Sequence, residues 1–290
     1  MNIEIVRREV QRAAAPWEPK DTQLSRLPPE ELRKRLGYVP GPGERTLLEH
    51  ESGAKAKLSV ALAAVAAAAR PASFDWRNRN GGNFITPVRD QGSCGSCVAF
   101  GTLAVMEAQI QISRNDPNTG IDLAEADLFY CIAEAQQSRA CDGANGGWWP
   151  TAALAALVSD GVVDEACFPY VAGDQPCNRC ADWQNRKQKI VSSSTLTSAE
   201  DMKVSLSSAG PLVTTISVYE DFAHYASGVY KHVTGALEGG HCIAVVGYDD
   251  GQSAWIIKNS WGTTDWGIGG FGLIGYGEVG VDDTMYGITV

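Results

Sequence analysis

Cys97 and His241 have neighbours that suit a nucleophile and its base. Cys97 stands in Gln91-Gly-Ser-Cys-Gly-Ser-Cys-Val-Ala-Phe100. Ala99, Leu103, Met106 and Ile110 then recur at helical spacing as far as the breaker Asn115-Asp116-Pro117. A thiol at a helix N-terminus faces unpaired backbone N–H groups and the positive end of the helix dipole, and both favour the nucleophilic thiolate. Gln91 offers a side-chain amide to a developing oxyanion. The base must come from His50, His224, His232 or His241. His241 opens an apolar run in Gly239-Gly-His-Cys-Ile-Ala-Val-Val-Gly-Tyr248, so its ring can face a cleft while the residues after it fill a core. Asn259, in Trp255-Ile-Ile-Lys-Asn-Ser-Trp-Gly262, can accept from one imidazole nitrogen while the other faces sulfur. Trp261 can screen that bond from water. The other three histidines have no such partners and read as structural; His224 and His232 flank what reads as a loop, Tyr225–Tyr230.

The elements that must position these residues fall into two groups. From Ser73 to about residue 165 the patterns are helical, with the Cys97 helix first and Thr151–Val158 after it. From about residue 188 strands dominate: Pro211–Val218, Cys242–Tyr248, Ala254–Lys258 and Phe271–Tyr276 are apolar, β-branched or aromatic runs bounded by glycine turns. This predicts an α+β fold with the nucleophile in the first half, and the base and its orienter in the second, so the site must form in a cleft between them. The expected organisation is an N-terminal segment 1–70, a helical part 71–187 and a β-rich part 188–290. In the segment, Pro28–Gly37 reads as a short helix that Gly37 stops. Tyr38-Val39-Pro40-Gly41-Pro42-Gly43 must then be extended or turned. Leu58–Ala69 reads as an Ala-rich helix.

Blocks 91–100, 239–248 and 255–271, with Phe74-Asp75-Trp76-Arg77 ahead of them, resemble the papain-like cysteine peptidases over roughly residues 71–290. Cys97 lies 144 residues before His241 and 162 before Asn259, close to the spacing of that family. The resemblance implies a papain-like fold, with a helical left domain and an antiparallel, barrel-like right domain. It implies a thiol endopeptidase that needs no cofactor and no metal. Cys97 attacks as thiolate beside His241 as imidazolium, Asn259 orients the imidazole, and Gln91 with the Cys97 N–H holds the oxyanion. It assigns the backbone of Gly146 and Gly147 to pairing with an extended substrate, and Trp261 to the cleft wall. Thr215 and Met285 align with a subsite wall, which points to apolar side chains there. It also pairs Cys94 with Cys141, and Cys131 with Cys177 or Cys180, leaving the remaining one for Cys167. Two departures stand out. Val98 replaces the tryptophan that usually follows the catalytic cysteine, and the 70-residue N-terminal segment is short for a family propeptide and lacks the longer ones' signature. Family propeptides run through the cleft opposite to the substrate direction. Tyr38–Gly43 suits that task, with Tyr38 and Val39 filling apolar subsites and the flanking helices as anchors. The expected partners are therefore peptide or protein substrates and the chain's own N-terminal segment.

Composition sets outer bounds. The 290 residues carry a net charge of −10 with 44% hydrophobic content, which describes a globular chain and argues against nucleic acid or an anionic membrane surface as partner. Eight cysteines point to an oxidising compartment, hence a secreted or periplasmic protein. Cys242, inside an apolar run, reads as a buried thiol. The alternative for Cys177-x-x-Cys180 is a zinc or redox site. Residues 1–20 have no apolar core, so no ordinary signal peptide is expected there, and Leu58–Ala69 is too short to span a bilayer. Two rival readings remain. A Cys-His acyl transferase of the transglutaminase or amine acetyltransferase kind would resemble a Cys-His-Asp set, which Asn259 and Gln91 disfavour. A non-catalytic binding homologue is disfavoured by the intact Cys97, His241, Asn259 and Gln91.

Overall fold

The computed structural model describes residues 1–63 and 70–290. Its helices are α1 (Ile3–Arg12), α2 (Pro29–Arg33), α3 (Leu47–Ala63), α4 (Cys97–Ser113), α5 (Ala135–Gln137, continuing a π-helix Asp127–Glu134), α6 (Pro150–Ser159) and α7 (Ala199–Ser208). The strands are β1 (Trp17–Pro19), β2 (Ser73–Asp75), β3 (Ser192–Leu196), β4 (Leu212–Tyr219), β5 (Tyr225–Tyr230), β6 (Leu237–Asp249), β7 (Ala254–Lys258), β8 (Phe271–Gly275) and β9 (Met285–Thr289). They form one sheet in the order β1-β5-β8-β7-β6-β4-β9-β3, with β2 added on β6. Among the described residues, β5 with β8 is the parallel pairing and the rest are antiparallel. The α+β expectation holds.

Helix α4 is mostly apolar and buried along almost its whole length, so its few polar side chains, Glu107 among them, need partners inside the core. It packs against β6, and Gly101 leaves room for Cys242, whose sulfur lies 2.9 Å from where a Cβ would stand. Behind the strand end that carries Asn259, the buried Lys258 ammonium donates to Thr86 Oγ1 at 3.0 Å, and that hydroxyl donates to Glu107 of α4 at 2.5 Å. This polar seam pins β7 to α4 inside a low-dielectric core, where each donor needs its partner.

The cysteines form Cys94–Cys141, Cys131–Cys177 and Cys167–Cys180, which settles the pairing the sequence left open and disposes of the zinc and redox alternatives for Cys177 and Cys180. Cys97 and Cys242 are free and buried. No helix among the described residues is long and apolar enough to cross a membrane.

The N-terminal segment is more structured than its composition suggests. Trp17–Pro19 adds a strand to the edge of β5, so Tyr225–Tyr230 is a strand and not the loop expected. Trp17 is buried against Tyr225 and Tyr230 and donates its indole N–H to the Lys231 carbonyl at 3.0 Å. Three residues of edge pairing, sealed by one tryptophan, carry no alternating pattern to read. The short helix stops at Arg33, earlier than Gly37. Helix α3 begins well before the Ala-rich run. Its start is a capping box in which Glu49 N–H donates to Thr46 Oγ1 and Thr46 N–H donates to the Glu49 carboxylate. The predicted Ala-rich helix is helical to Ala63, and its remaining residues 64–69 lie outside the described residues.

Replacing Cys94 and Cys141 together by Ala, in an inactive Cys97→Ala background, is expected to lower unfolding stability by about 2–5 kcal/mol. A denaturant titration of the oxidised protein reads this. A loss below about 1 kcal/mol would show that the bridge does little for this half.

Candidate active site

Four predicted residues meet where the two halves touch. Cys97 is the first residue of α4 and is fully buried. Its sulfur accepts the backbone N–H of Cys242 at 3.3 Å, which places the thiol beside the strand position of His241. The imidazole is fully buried, and its Nε2 lies 2.7 Å from Asn259 Oδ1. That oxygen also accepts the Ser260 N–H at 2.8 Å. An atom that accepts from a backbone N–H is the carbonyl oxygen of the amide, so Nε2 must be the protonated nitrogen of His241. Nδ1 is left with a free lone pair and has no hydrogen-bond partner. It is the nitrogen able to take a proton from a thiol. The Trp261 ring stacks on the imidazole at 4.7 Å between centroids and shields the bond to Asn259.

Gln91 is fully buried and doubly tied to the β-rich half. Its backbone N–H donates to the Ser260 carbonyl at 2.9 Å, and its side-chain oxygen accepts the Ser260 hydroxyl at 2.6 Å. The Tyr170 hydroxyl donates to the Gln91 carbonyl at 2.8 Å. With its oxygen so committed, the amide must turn Nε2 toward the thiol side of the cleft. Val98 is fully buried in the first turn of α4.

The cleft is filled by the chain's own residues 35–41. Nε2 of Gln91 donates to the Arg35 carbonyl at 3.1 Å and to the Cys94 carbonyl at 2.8 Å. The Gly37 N–H lies against the Cys97 sulfur. Gly37 O accepts the Trp148 N–H at 2.7 Å, Tyr38 N–H donates to Gly240 O at 3.0 Å, and Val39 N–H donates to Trp148 O at 3.0 Å. The segment thus runs parallel to Trp148 on one side and antiparallel to Gly240 on the other. Gly37 has to be glycine, because a Cβ there would stand 1.8 Å from the Gly95 carbonyl oxygen.

The backbone pairing falls one residue later than the resemblance implied. Gly146 and Gly147 spend their N–H groups on Gly143 and Ala140, and their carbonyls accept from Arg139. Trp148 does the pairing. Gly147 contributes a missing side chain, since a Cβ there would meet Gly37 O at 2.3 Å. The turn 143–147 folds on itself, and sequence spacing does not say which of its amides stay free. Tyr38, 3% exposed, seats its hydroxyl against the Thr215 hydroxyl, and Val39 is half-buried. Met285 lies wholly buried in β9.

Burial governs the charges. It pushes the Cys97 thiol up to about 12, against the backbone N–H groups of Cys242, Gly37 and Val98. It pulls His241 down to about 4, against its hydrogen bond to Asn259. Both groups are therefore neutral at pH 7 in the covered cleft. Burial in the covered cleft thus works against the thiolate and imidazolium that helix position alone favours.

A family profile described as papain family cysteine protease matches residues 70–289. The chain is 34% identical over 219 residues to cathepsin B-like CP3 of Giardia intestinalis, covering 71% of this chain and 70% of that protein. It is 34% identical over 199 residues to pro-cathepsin H of Mus musculus, covering 67% of this chain and 57% of that protein. Among solved structures, digestive procathepsin L2 from Tenebrio molitor larval midgut matches with a TM-score of 0.78 and 25% identity, over 99% of this chain and 89% of that one. The fold of proCathepsin B S9 from Trypanosoma congolense matches with a TM-score of 0.76 at 24% identity, over 100% of this chain and 98% of that one.

The raised thiol and lowered imidazole make a pH prediction. A group whose acid form is favoured by burial yields thiolate only as pH climbs toward its raised value, so alkylation of Cys97 in the unprocessed chain should be slow at pH 7 and rise steeply above pH 9. The processed enzyme should react at pH 6–7 at least about 100-fold faster. Pulse labelling with iodoacetamide and peptide mapping measures both. Equal rates at pH 7 would contradict the neutral pair.

Proposed function

The chain belongs to the papain family of cysteine proteases, and on that premise we propose that Cys97, His241, Asn259 and Gln91 carry out its peptide hydrolysis in the roles their geometry suits. One observation supports this most. A peptide backbone already lies across Cys97 with one of its carbonyl oxygens on Gln91 Nε2. A scissile carbonyl placed there has the thiol at its carbon and the amide donor at its oxygen.

Once the cleft is open to water, His241 Nδ1 takes the thiol proton, which yields the thiolate and imidazolium. Sulfur attacks the carbonyl carbon, and the carbonyl electron pair moves to oxygen. Gln91 Nε2 and the Cys97 N–H hold that oxyanion. The intermediate collapses, the C–N bond breaks, and Nδ1 returns its proton to the leaving amine. A water molecule, deprotonated by the same nitrogen, attacks the thioester and releases the acid product. Asn259 keeps the ring in the tautomer and plane these transfers need, and Trp261 keeps water off that bond. Substrates run through the cleft in the direction opposite to residues 35–41, paired with Trp148 and Gly240. In this reversed run the sulfur meets the Gly37 N–H and not a carbonyl carbon, so the segment blocks without being cut. Residues 1–70 accordingly act as an intramolecular inhibitor. Three disulfides require an oxidising compartment, and we read the protein as secreted or periplasmic.

Cys97→Ala should abolish hydrolysis of a fluorogenic peptide amide while the protein still folds, and Asn259→Ala should slow it by about 10–100-fold. Substantial turnover by the Cys97→Ala protein would rule out this mechanism. Gly37→Ala in the full-length chain should lift the blocking segment and raise activity in the first seconds of assay, before self-processing. An unchanged initial rate would show that the segment does not restrain the cleft.

A further inference from the structure

One side chain outside the four site residues is bonded to both stretches of chain that carry the oxyanion donors. The Tyr170 hydroxyl donates to the Gln91 carbonyl at 2.8 Å, and Ser96, the residue before Cys97, has its Oγ 2.8 Å from the same hydroxyl. A phenol has one proton, and the Gln91 carbonyl takes it, so the Ser96 hydroxyl must be the donor in the second bond. The bonds run in series from Ser96 Oγ–H to Tyr170 O–H to the Gln91 carbonyl. Burial pushes the Tyr170 hydroxyl up to about 12, against its hydrogen bonds with Ser96 and Tyr130, so it keeps its proton at neutral pH.

Ser96 is fully buried at the N-cap position of α4. A serine there ordinarily turns its oxygen onto an N–H of the first helical turn. This one makes no such bond, and its hydroxyl is engaged by Tyr170 instead. The Val98 N–H, which a capping serine could take, is left facing the Cys97 sulfur together with the N–H of Cys97 itself. Tyr170 is held on every side. Its backbone N–H donates to Glu165 Oε1 at 2.8 Å, its ring stands edge-on to Phe100 of α4 at 4.8 Å between centroids, and it stacks on Tyr130 of the π-helix at 5.7 Å. The Tyr130 hydroxyl donates in turn to the carbonyl of the next residue, Val171, at 2.6 Å. These partners all belong to the protease body, so they stay when the segment leaves the cleft.

We propose that Tyr170 is a positioning residue for the hydrolysis, one that fixes the spacing between the two oxyanion donors, Gln91 Nε2 and the Cys97 N–H. Gln91 is drawn toward the β-rich half by its two bonds to Ser260, whereas Cys97 rides on α4. The Tyr170 hydroxyl ties the Gln91 main chain back to the start of that helix. Two donors stabilise one oxyanion only when both reach it at hydrogen-bond distance, and a misplacement of about 1 Å can cost about 100-fold in rate. The inference rests on the reading that Gln91 and the Cys97 N–H hold the oxyanion, and it adds a residue that touches neither substrate nor thiol.

The test uses enzyme processed from the full-length chain, titrated at its active site with an epoxysuccinyl peptide. Tyr170→Phe keeps the ring and its packing and deletes only the hydroxyl. On a fluorogenic peptide amide its kcat should fall by about tenfold while KM stays within about twofold. Alkylation of Cys97 by iodoacetamide builds no oxyanion, so its rate at about pH 6 should stay within about twofold of the natural enzyme's. In a Gln91→Ala background the same change should lower kcat by less than about twofold, because one of the donors it spaces is gone. An unchanged kcat in Tyr170→Phe, or an equal loss with and without Gln91, would overturn the proposal. Alkylation that slows as much as hydrolysis would overturn it too, since that marks a general disturbance of the thiol. Should Tyr170→Phe not accumulate as folded protein, Ser96→Ala removes the other end of the series of bonds, and an unchanged kcat there would overturn the proposal equally. A natural enzyme that hydrolyses no peptide amide would overturn the peptidase reading beneath it.

Discussion

The site depends on the seam between Gln91 and Ser260. One half of the molecule supplies the thiol and the amide donor, and the other supplies the imidazole and its orienting amide. Two hydrogen bonds between Gln91 and Ser260 join these halves directly at the site. Ser260 also donates its N–H to Asn259 Oδ1, so the residue that holds the Gln91 amide also holds the amide bonded to the His241 ring. All of these residues are buried, where a lost partner costs the full desolvation of the group left behind. Such a joint is stiff, and stiffness is what placing a sulfur and an imidazole on opposite halves demands.

The cleft built on that seam is too narrow for side chains at its centre. Gly37 of the segment fits between Gly95 and Gly147 because none of the three carries a Cβ. The close approach lets backbone amides on both walls reach the segment, and it excludes water from the thiol. Water exclusion then removes the charges. A buried sulfur with backbone N–H donors and no solvated counter-charge stays protonated, and a buried imidazole stays neutral. The segment therefore fills the cleft and adds to the burial that disfavours the charged forms of Cys97 and His241.

What holds the segment is distributed over its length. Trp17 seals an added edge strand on β5, Arg33 pairs with the buried Glu238 at 2.7 Å, and Arg45, His50 and Lys57 meet at Asp283. The body contributes the carboxylates, and the segment contributes the cations Arg33, Arg45 and Lys57 and the imidazole of His50. A chain with net charge −10 can bind its own inhibitor through charge because the negative groups sit in the body at the points of contact.

The residues of the candidate site were legible because they are residue types set in short blocks. A cysteine at a helix start, a glutamine ahead of it, a glycine-flanked histidine and an Asn-Ser-Trp run each announce themselves locally, and all four residues meet as their spacing implied. The α+β layout was legible for the same reason, since helical and strand periodicities are local. The use of Trp148 instead of Gly146 and Gly147 was not, because a turn's internal hydrogen bonds decide which amides remain free. The edge strand Trp17–Pro19 was not, because three residues carry no period. The gathering of Arg45, His50 and Lys57 on Asp283 was not, because more than 200 residues separate them from it. The protonation state of the pair was hidden as well. The sequence by itself determined which groups could react and on which elements they ride, because those signals are written in neighbouring residues. Only the tertiary structure decided whether they are charged, what covers them and where the cover is fastened, because burial and Coulomb contact depend on distances that folding alone creates.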